Sequence, residues 1–122
     1  MGYRHYGEIG DIWKHLPFCE LLRLEAPLTH VETNSAFFDY HLDDSPEKAY
    51  GIGHFLQQGA YLKAINQSAY VELLSPYFQT NRYLGSCGQA MKLLGTFVNQ
   101  YVFFDLDQEA IESQKEGANS FG

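Results

Sequence analysis

In Tyr101-Val102-Phe103-Phe104-Asp105, four aromatic or β-branched residues stand in a row with no polar residue between them. A strand with one wet face alternates, so an unbroken apolar run reads as a strand covered on both faces, as in a parallel sheet. The run stops at an acid. Two residues on, Asp107 is placed to cap a helix opening Gln108-Glu109-Ala110-Ile111, with its acids at the positive end of the helix dipole. A second candidate strand, Leu28-Thr29-His30-Val31-Glu32-Thr33, is short, carries β-branched residues and runs out into the polar Asn34-Ser35. Two parallel strands, each with an acidic residue at its end and a polar loop beyond, define the expected class: α/β, with few parallel strands and flanking helices.

The remaining segments read as helices. Asp11 is the expected cap of a helix running through Trp13, Leu16, Leu21, Leu22 and Leu24, in which Pro17 either occupies the first turn or bends the axis, and which Pro27 closes. Ser45-Pro46-Glu47 is a helix start, with Tyr50, Phe55 and Leu56 as the apolar side. A helix from Ala69 to Leu74 is expected to stop at Ser75-Pro76, which opens another turn through Tyr77 and Phe78. Tyr83-Leu84 leads through Gly85-Ser86-Cys87-Gly88 into a helix from Gln89 to Leu94, with Gly95 as its C-cap. There is no internal repeat or linker, so residues 1–122 read as a single domain with a frayed tail over 117–122.

Composition narrows the function classes. With 45% hydrophobic and 16% aromatic residues, 122 residues can build one real core. Eight Lys and Arg against 15 Asp and Glu give a net charge of -7, a poor surface for neutralising phosphates, so direct nucleic-acid binding is not expected. No stretch approaches the roughly 20 apolar residues of a membrane span. The opening Met1-Gly2-Tyr3-Arg4-His5 has no secretory apolar run, and Cys19 and Cys87 stand far apart outside any CxxC pattern. The expectation is a cytoplasmic protein with reduced thiols.

The chemistry points to the strand ends. In open α/β sheets a carboxylate after the second strand accepts both ribose hydroxyls of a nucleoside, and Asp105 is placed for that role, its alternative being a cap or loop acid. Glu32 and Asn34-Ser35 would face the amino-acid or phosphate part of such a ligand, and Gly85-Ser86, with small side chains, would approach it closely. No GxGxxG or Walker A pattern is present. His5, His15, His30, His41 and His54 show no metal-ligand spacing, and neither cysteine has the adjacent base of a nucleophile, so no metal and no catalytic residue are expected. Tyr50, Tyr61, Tyr70, Phe55, Phe78 and Tyr101 lack interleaved Lys and Arg and read as core and interface.

Taken in order, several motifs resemble the S-adenosylmethionine-dependent 23S ribosomal RNA adenine-N6 methyltransferases: Tyr3-Arg4-His5; Gly10-Asp11-Ile12-Trp13-Lys14-His15; Glu32-Thr33-Asn34-Ser35-Ala36 against the family's Asp-Thr-His-Ala; Tyr83-Leu84-Gly85-Ser86 against its Tyr-Pro-Gly-Ser-Pro; and Phe104-Asp105-Leu106-Asp107 against its Glu-Leu-His-Pro. The resemblance implies the N-terminal half of a Rossmann-like methyltransferase fold. It also implies S-adenosylmethionine contacts at His15, Asn34, Ser86 and Asp105, with Lys14 and Glu32 close by; Lys14 and His15 would orient the methionine end. The family's catalytic Asp-Pro-Pro-Tyr does not occur in the 122 residues, and Glu32, Asn34, Leu84, Cys87 and Asp105 depart from its pattern.

The expected function is therefore a methyltransferase-like module that binds S-adenosylmethionine or a nucleoside and is inactive alone. Two alternatives stay open: a structural or protein-interaction homo-oligomer, and one half of a split RNA methyltransferase. Exposed sheet edges and apolar faces would favour self-association, a dimer first, or a protein partner.

Overall fold

The computed structural model describes residues 5–43, 45–59 and 63–120. Tyr3 and Arg4 of the first motif, Tyr61 and the last two residues of the tail lie outside them. The fold is mixed α/β, mainly helical, with two small two-stranded sheets. In β1 (Thr29–Thr33) and β4 (Gln100–Phe104) the expected parallel pair forms, Thr29 opposite Gln100 and Thr33 opposite Phe104, so both strands end at the same level. The expected burial of both faces does not follow. One face carries His30, whose ring meets those of Phe18, Tyr101 and Phe103 at 6.0 to 6.3 Å, while Val31 and Phe104 remain 54% and 55% exposed. The second sheet, β2 (Asp39–His41) antiparallel to β3 (Arg82–Leu84), was not anticipated: three-residue strands leave too little pattern to read. An Arg82–Asp39 ion pair straps it.

The first helix, α1 (Ile9–Glu25), corrects several expectations. Glu8, in extended geometry, occupies the N-cap, and Asp11 lies in the first turn, buried, where Tyr83 and His15 hold it. Pro17 sits inside the helix on its exposed side, where the loss of one backbone bond is best tolerated. Ile12, His15, Cys19 and Leu22 form the buried face at helical spacing, whereas Trp13 (76% exposed), Leu21 and Leu24 (78%) point away from it. Ala26, in the left-handed region, closes the helix with its N–H on the Leu22 carbonyl.

Ser45 caps α2 (Pro46–Lys48), accepting the Lys48 N–H at 3.4 Å, and Pro46 takes the first position as expected. The chain then winds more widely through Ala49–Gly53, burying Ile52 and leaving Tyr50 exposed, before α3 (His54–Gly59) and α4 (Lys63–Asn66). Next comes α5 (Ala69–Phe78), which does not stop at Ser75-Pro76: Pro76 is exposed, and the Ser75 hydroxyl donates to the Val71 carbonyl at 2.7 Å. The following helix, α6 (Ser86–Leu94), starts three residues earlier than expected, with Gly85 as its N-cap and Gly95 as its C-cap. Asp107 caps α7 (Gln108–Asn119) by accepting the Glu109 N–H at 3.0 Å. Instead of fraying from Gly117, α7 continues to Asn119 with Gly117 buried.

Tyr70, Tyr83, Leu74, Leu84 and Ile52 centre the core, between α1, α5 and α6. Among the described residues no helix is long and apolar enough to cross a membrane.

Two glycines test this packing with opposite signs. A Cβ on Gly117 would fall within the Phe38 ring, whereas one on Gly10, inside α1, meets nothing within 4 Å. Gly117→Ala is expected to cost about 1–3 kcal/mol by overpacking, and Gly10→Ala to gain up to about 1 kcal/mol through helix propensity. Urea unfolding midpoints read both; a Gly117→Ala variant as stable as the parent would contradict the docking of α7 on Phe38.

Candidate functional site

The carboxyl ends of β1 and β4 open onto a cavity of about 320 Å³. Lys14 and His15 reach it from α1, Asn34 from the loop after β1, Ser86 from the first turn of α6, and Asp105 from the end of β4. Five of the six residues singled out in the sequence therefore border one space, although they come from four separate segments. Glu32 does not. It stands behind Ser86, accepting the Ser86 hydroxyl on one oxygen and facing His30 Nε2 at 2.7 Å with the other. It supports a lining residue rather than facing the space, because its position in β1 places it on the same face as His30.

The loop between β1 and β2 shapes the cavity. Asn34 (φ +54°) and Ala36 (φ +58°) both adopt the left-handed conformation; asparagine tolerates it, but for alanine it costs about 1–2 kcal/mol. The cost is offset locally. Asp105 Oδ2 accepts the Ala36 N–H at 2.8 Å, and Gln114 Nε2, from α7, donates to the Ala36 carbonyl and to Ser35 Oγ. Ser35 N–H and Oγ both donate to the Phe104 carbonyl, and Gly85 N–H reaches the Phe38 carbonyl at 2.9 Å. A side chain on Gly85 would strike the Phe37 carbonyl, so only glycine lets α6 start this close to the loop. The other oxygen of Asp105 accepts the Asp107 N–H at 2.9 Å. Each carboxylate oxygen thus holds one backbone donor and keeps one lone-pair direction for another.

Behind the cavity lies a buried polar chain that joins α1, α5, β3 and α6. Asp11 Oδ2 accepts the Tyr83 hydroxyl at 2.6 Å and the Gly7 N–H at 3.3 Å, and lies 3.2 Å from His15 Nδ1. Tyr70 and Tyr83 share a hydrogen bond of 3.0 Å, and burial pushes both phenols above their usual range. Gln89 donates to the Leu84 carbonyl and accepts from the Cys19 thiol. Burial also pushes Cys19 and Cys87 up to about 12, which keeps both thiols protonated at neutral pH. Among the described residues no group of His, Cys, Asp and Glu is arranged to hold a metal ion.

Sequence reasoning missed the aromatic wall. Tyr6, Phe37 and Tyr40 line the cavity, with Tyr6 stacked on Tyr40 at 4.2 Å and Phe37 tilted against Tyr40 at 5.6 Å. Tyr6 and Tyr40 meet across 34 positions, and no local signal announces that. Asp11 and Tyr83 were also missed as lining residues, since an acid opening a helix looks like a cap. No protein-family model, curated protein or solved structure matches the chain.

The Asp11 carboxyl is held below its ordinary value: burial alone would raise it, but His15, Tyr83 and the Gly7 N–H together reverse that. As pH falls, the unfolded chain takes up this proton first. The contribution of Asp11 is therefore complete above the unfolded value of about 3.9 and is lost as pH drops through the folded value. Thermal midpoints are expected to fall steeply below about pH 4, and less steeply in Asp11→Asn; parallel profiles for the two proteins would contradict this.

Proposed function

We propose that this chain is an S-adenosylmethionine-binding module of Rossmann-like methyltransferase type, whose role within these 122 residues is binding rather than methyl transfer. One observation carries the reading: Lys14, His15, Asn34, Ser86 and Asp105, the residues the resemblance implies, surround one cavity at the carboxyl ends of a parallel strand pair, where open α/β sheets take nucleosides. The residues present fit such a ligand. Asp105 has acceptor capacity left for ribose hydroxyls, and its backbone bonds already fix its direction. Phe37 and Tyr40 supply flat apolar surface for a base. Among the described residues Lys14 is the one lysine or arginine lining the cavity, and its charge suits a carboxylate. Glu32 acts indirectly, holding the Ser86 hydroxyl. The ligand itself would supply an activated methyl group; no residue here is assigned to move it.

The second reading, a protein-interaction module that pairs with a second copy, is favoured by the exposed Trp13, Leu21 and Leu24 on α1 and by Val31 and Phe104 of the parallel pair, exposed among the described residues.

Isothermal titration with S-adenosylmethionine separates the two. Binding in the micromolar range, about -8 kcal/mol, is expected. Asp105→Ala should weaken it at least a hundredfold, two charge-assisted bonds being worth roughly 1.5–3 kcal/mol each. Because Asp105 also holds the loop, its thermal midpoint is read alongside, and Lys14→Ala, which leaves that tie intact, should lose about tenfold, or roughly 1.4 kcal/mol. No heat at millimolar ligand, together with a dimer by light scattering, would overturn the first reading and favour the second.

A further inference from the structure

Lys48 is only 5% exposed. Lysine is rarely buried so far, because one ion pair seldom offsets the lost hydration of its ammonium. The carboxylate it meets, Glu8 Oε2 at 3.3 Å, belongs to a side chain that is itself 25% exposed. A second contact sets this lysine apart: its ammonium lies over the Tyr6 ring, 4.2 Å from the centroid. Tyr6 in turn is stacked on Tyr40, with centroids 4.2 Å apart and planes 10° apart. One ring face has no room for an ammonium and a second ring at that distance, so Lys48 and Tyr40 occupy opposite faces of Tyr6. The Tyr6 hydroxyl donates to the His41 carbonyl at 2.9 Å, which fixes the far end of the ring. Tyr6 and Tyr40 border the cavity, and Lys48 does not. Backbone contacts place the ammonium. Lys48 ends α2 with its N–H on the Ser45 cap, and the wide turn after it returns to the segment that carries Tyr6 and Glu8, where the Ile52 N–H meets the Gly7 carbonyl at 2.8 Å. A side chain on Gly51 would strike that carbonyl, so only glycine lets the two segments close.

We propose that Lys48 is a positioning residue for this cavity: its ammonium clamps Tyr6 from the face opposite Tyr40 and so holds the aromatic wall in one place for a ligand that carries a flat ring. The ligand half of this inference rests on the binding function proposed above, in which adenine is such a ring. The clamp stands independently of it. A buried ammonium on a ring face interacts more strongly than an exposed one, because water does not compete for it. A wall fixed before the ligand arrives also spares binding the cost of ordering it. Arginine can take the place of Lys48, since a guanidinium also lies on aromatic faces, whereas leucine fills the space without a charge.

NMR on the full chain reads the clamp without any ligand. Protons above a ring face are shielded by the ring current, so the methylene protons next to the Lys48 ammonium are expected well upfield of their ordinary position in the wild-type protein. An ordinary position would overturn the clamp, and this result needs no variant to fold. In Lys48→Leu the ring resonances of Tyr6 and Tyr40 are expected to move together, and in Lys48→Arg to stay near their wild-type positions, a rescue that space filling alone would not give. A folded Lys48→Leu variant with Tyr40 unmoved would overturn the reach of the clamp into the wall. Titrated with S-adenosylmethionine, Lys48→Leu should bind about tenfold more weakly and Lys48→Arg within about twofold of wild type. Wild-type affinity in Lys48→Leu overturns the ligand half. Absence of binding by the wild-type protein contradicts the proposed function instead, and leaves the clamp to the ligand-free spectra.

Discussion

The Asp105 carboxylate ties the two strand ends together. One of its oxygens takes the Ala36 N–H from the loop after β1, and the other takes the Asp107 N–H at the entrance to α7. Charge-assisted bonds of this kind are short and directional, and here they hold a loop whose backbone would otherwise relax from the left-handed conformations at Asn34 and Ala36. Phe37 and Phe38 follow from that loop: the first borders the cavity, and the second lies beneath Gly117 of α7 and passes its carbonyl to Gly85. The cavity wall, the docking of α7 and the start of α6 all depend on one loop being held in one shape.

The same region accounts for the stability of a small sheet. A two-stranded parallel pair has little stability of its own. Here its inner face is packed by the rings of Phe18, His30, Tyr101 and Phe103, and Glu32 connects His30 to Ser86 at the head of α6. The outer face, with Val31 and Phe104, has no such cover among the described residues, and Trp13 and Leu24 are exposed on α1. A cavity at the strand ends and exposed apolar side chains elsewhere are compatible features of one small scaffold.

Local chemistry was what the sequence made legible. Ser45, Gly95 and Asp107 work as caps because a cap needs only its own few residues. The strand β4 could be located because Tyr101-Val102-Phe103-Phe104 has no polar interruption, although the burial of both faces inferred from that run does not occur. Long-range effects were not legible. Asp11 looks like a cap, and its burial depends on Tyr83, 72 positions away. Trp13 and Leu24 look like core because a helix apolar on more than one side gives no sign of which side will be covered. Pro76 looks like a stop, yet an exposed proline is tolerated within α5. For the candidate site, the order of short motifs indicated which residues to examine, but the aromatic wall of Tyr6, Phe37 and Tyr40 and the withdrawal of Glu32 behind Ser86 depend on three-dimensional packing.

Amide-resolved NMR titration of the full chain with S-adenosylmethionine tests most directly whether the cavity at the strand ends binds an S-adenosyl ligand, as proposed. The amides of Ala36, Gly85, Ser86 and Asp105 are expected to shift together along one saturable curve while those of Leu73 and Thr80, outside the cavity lining, stay in place. Unchanged spectra at millimolar ligand, or shifts confined to residues away from the cavity, would contradict it.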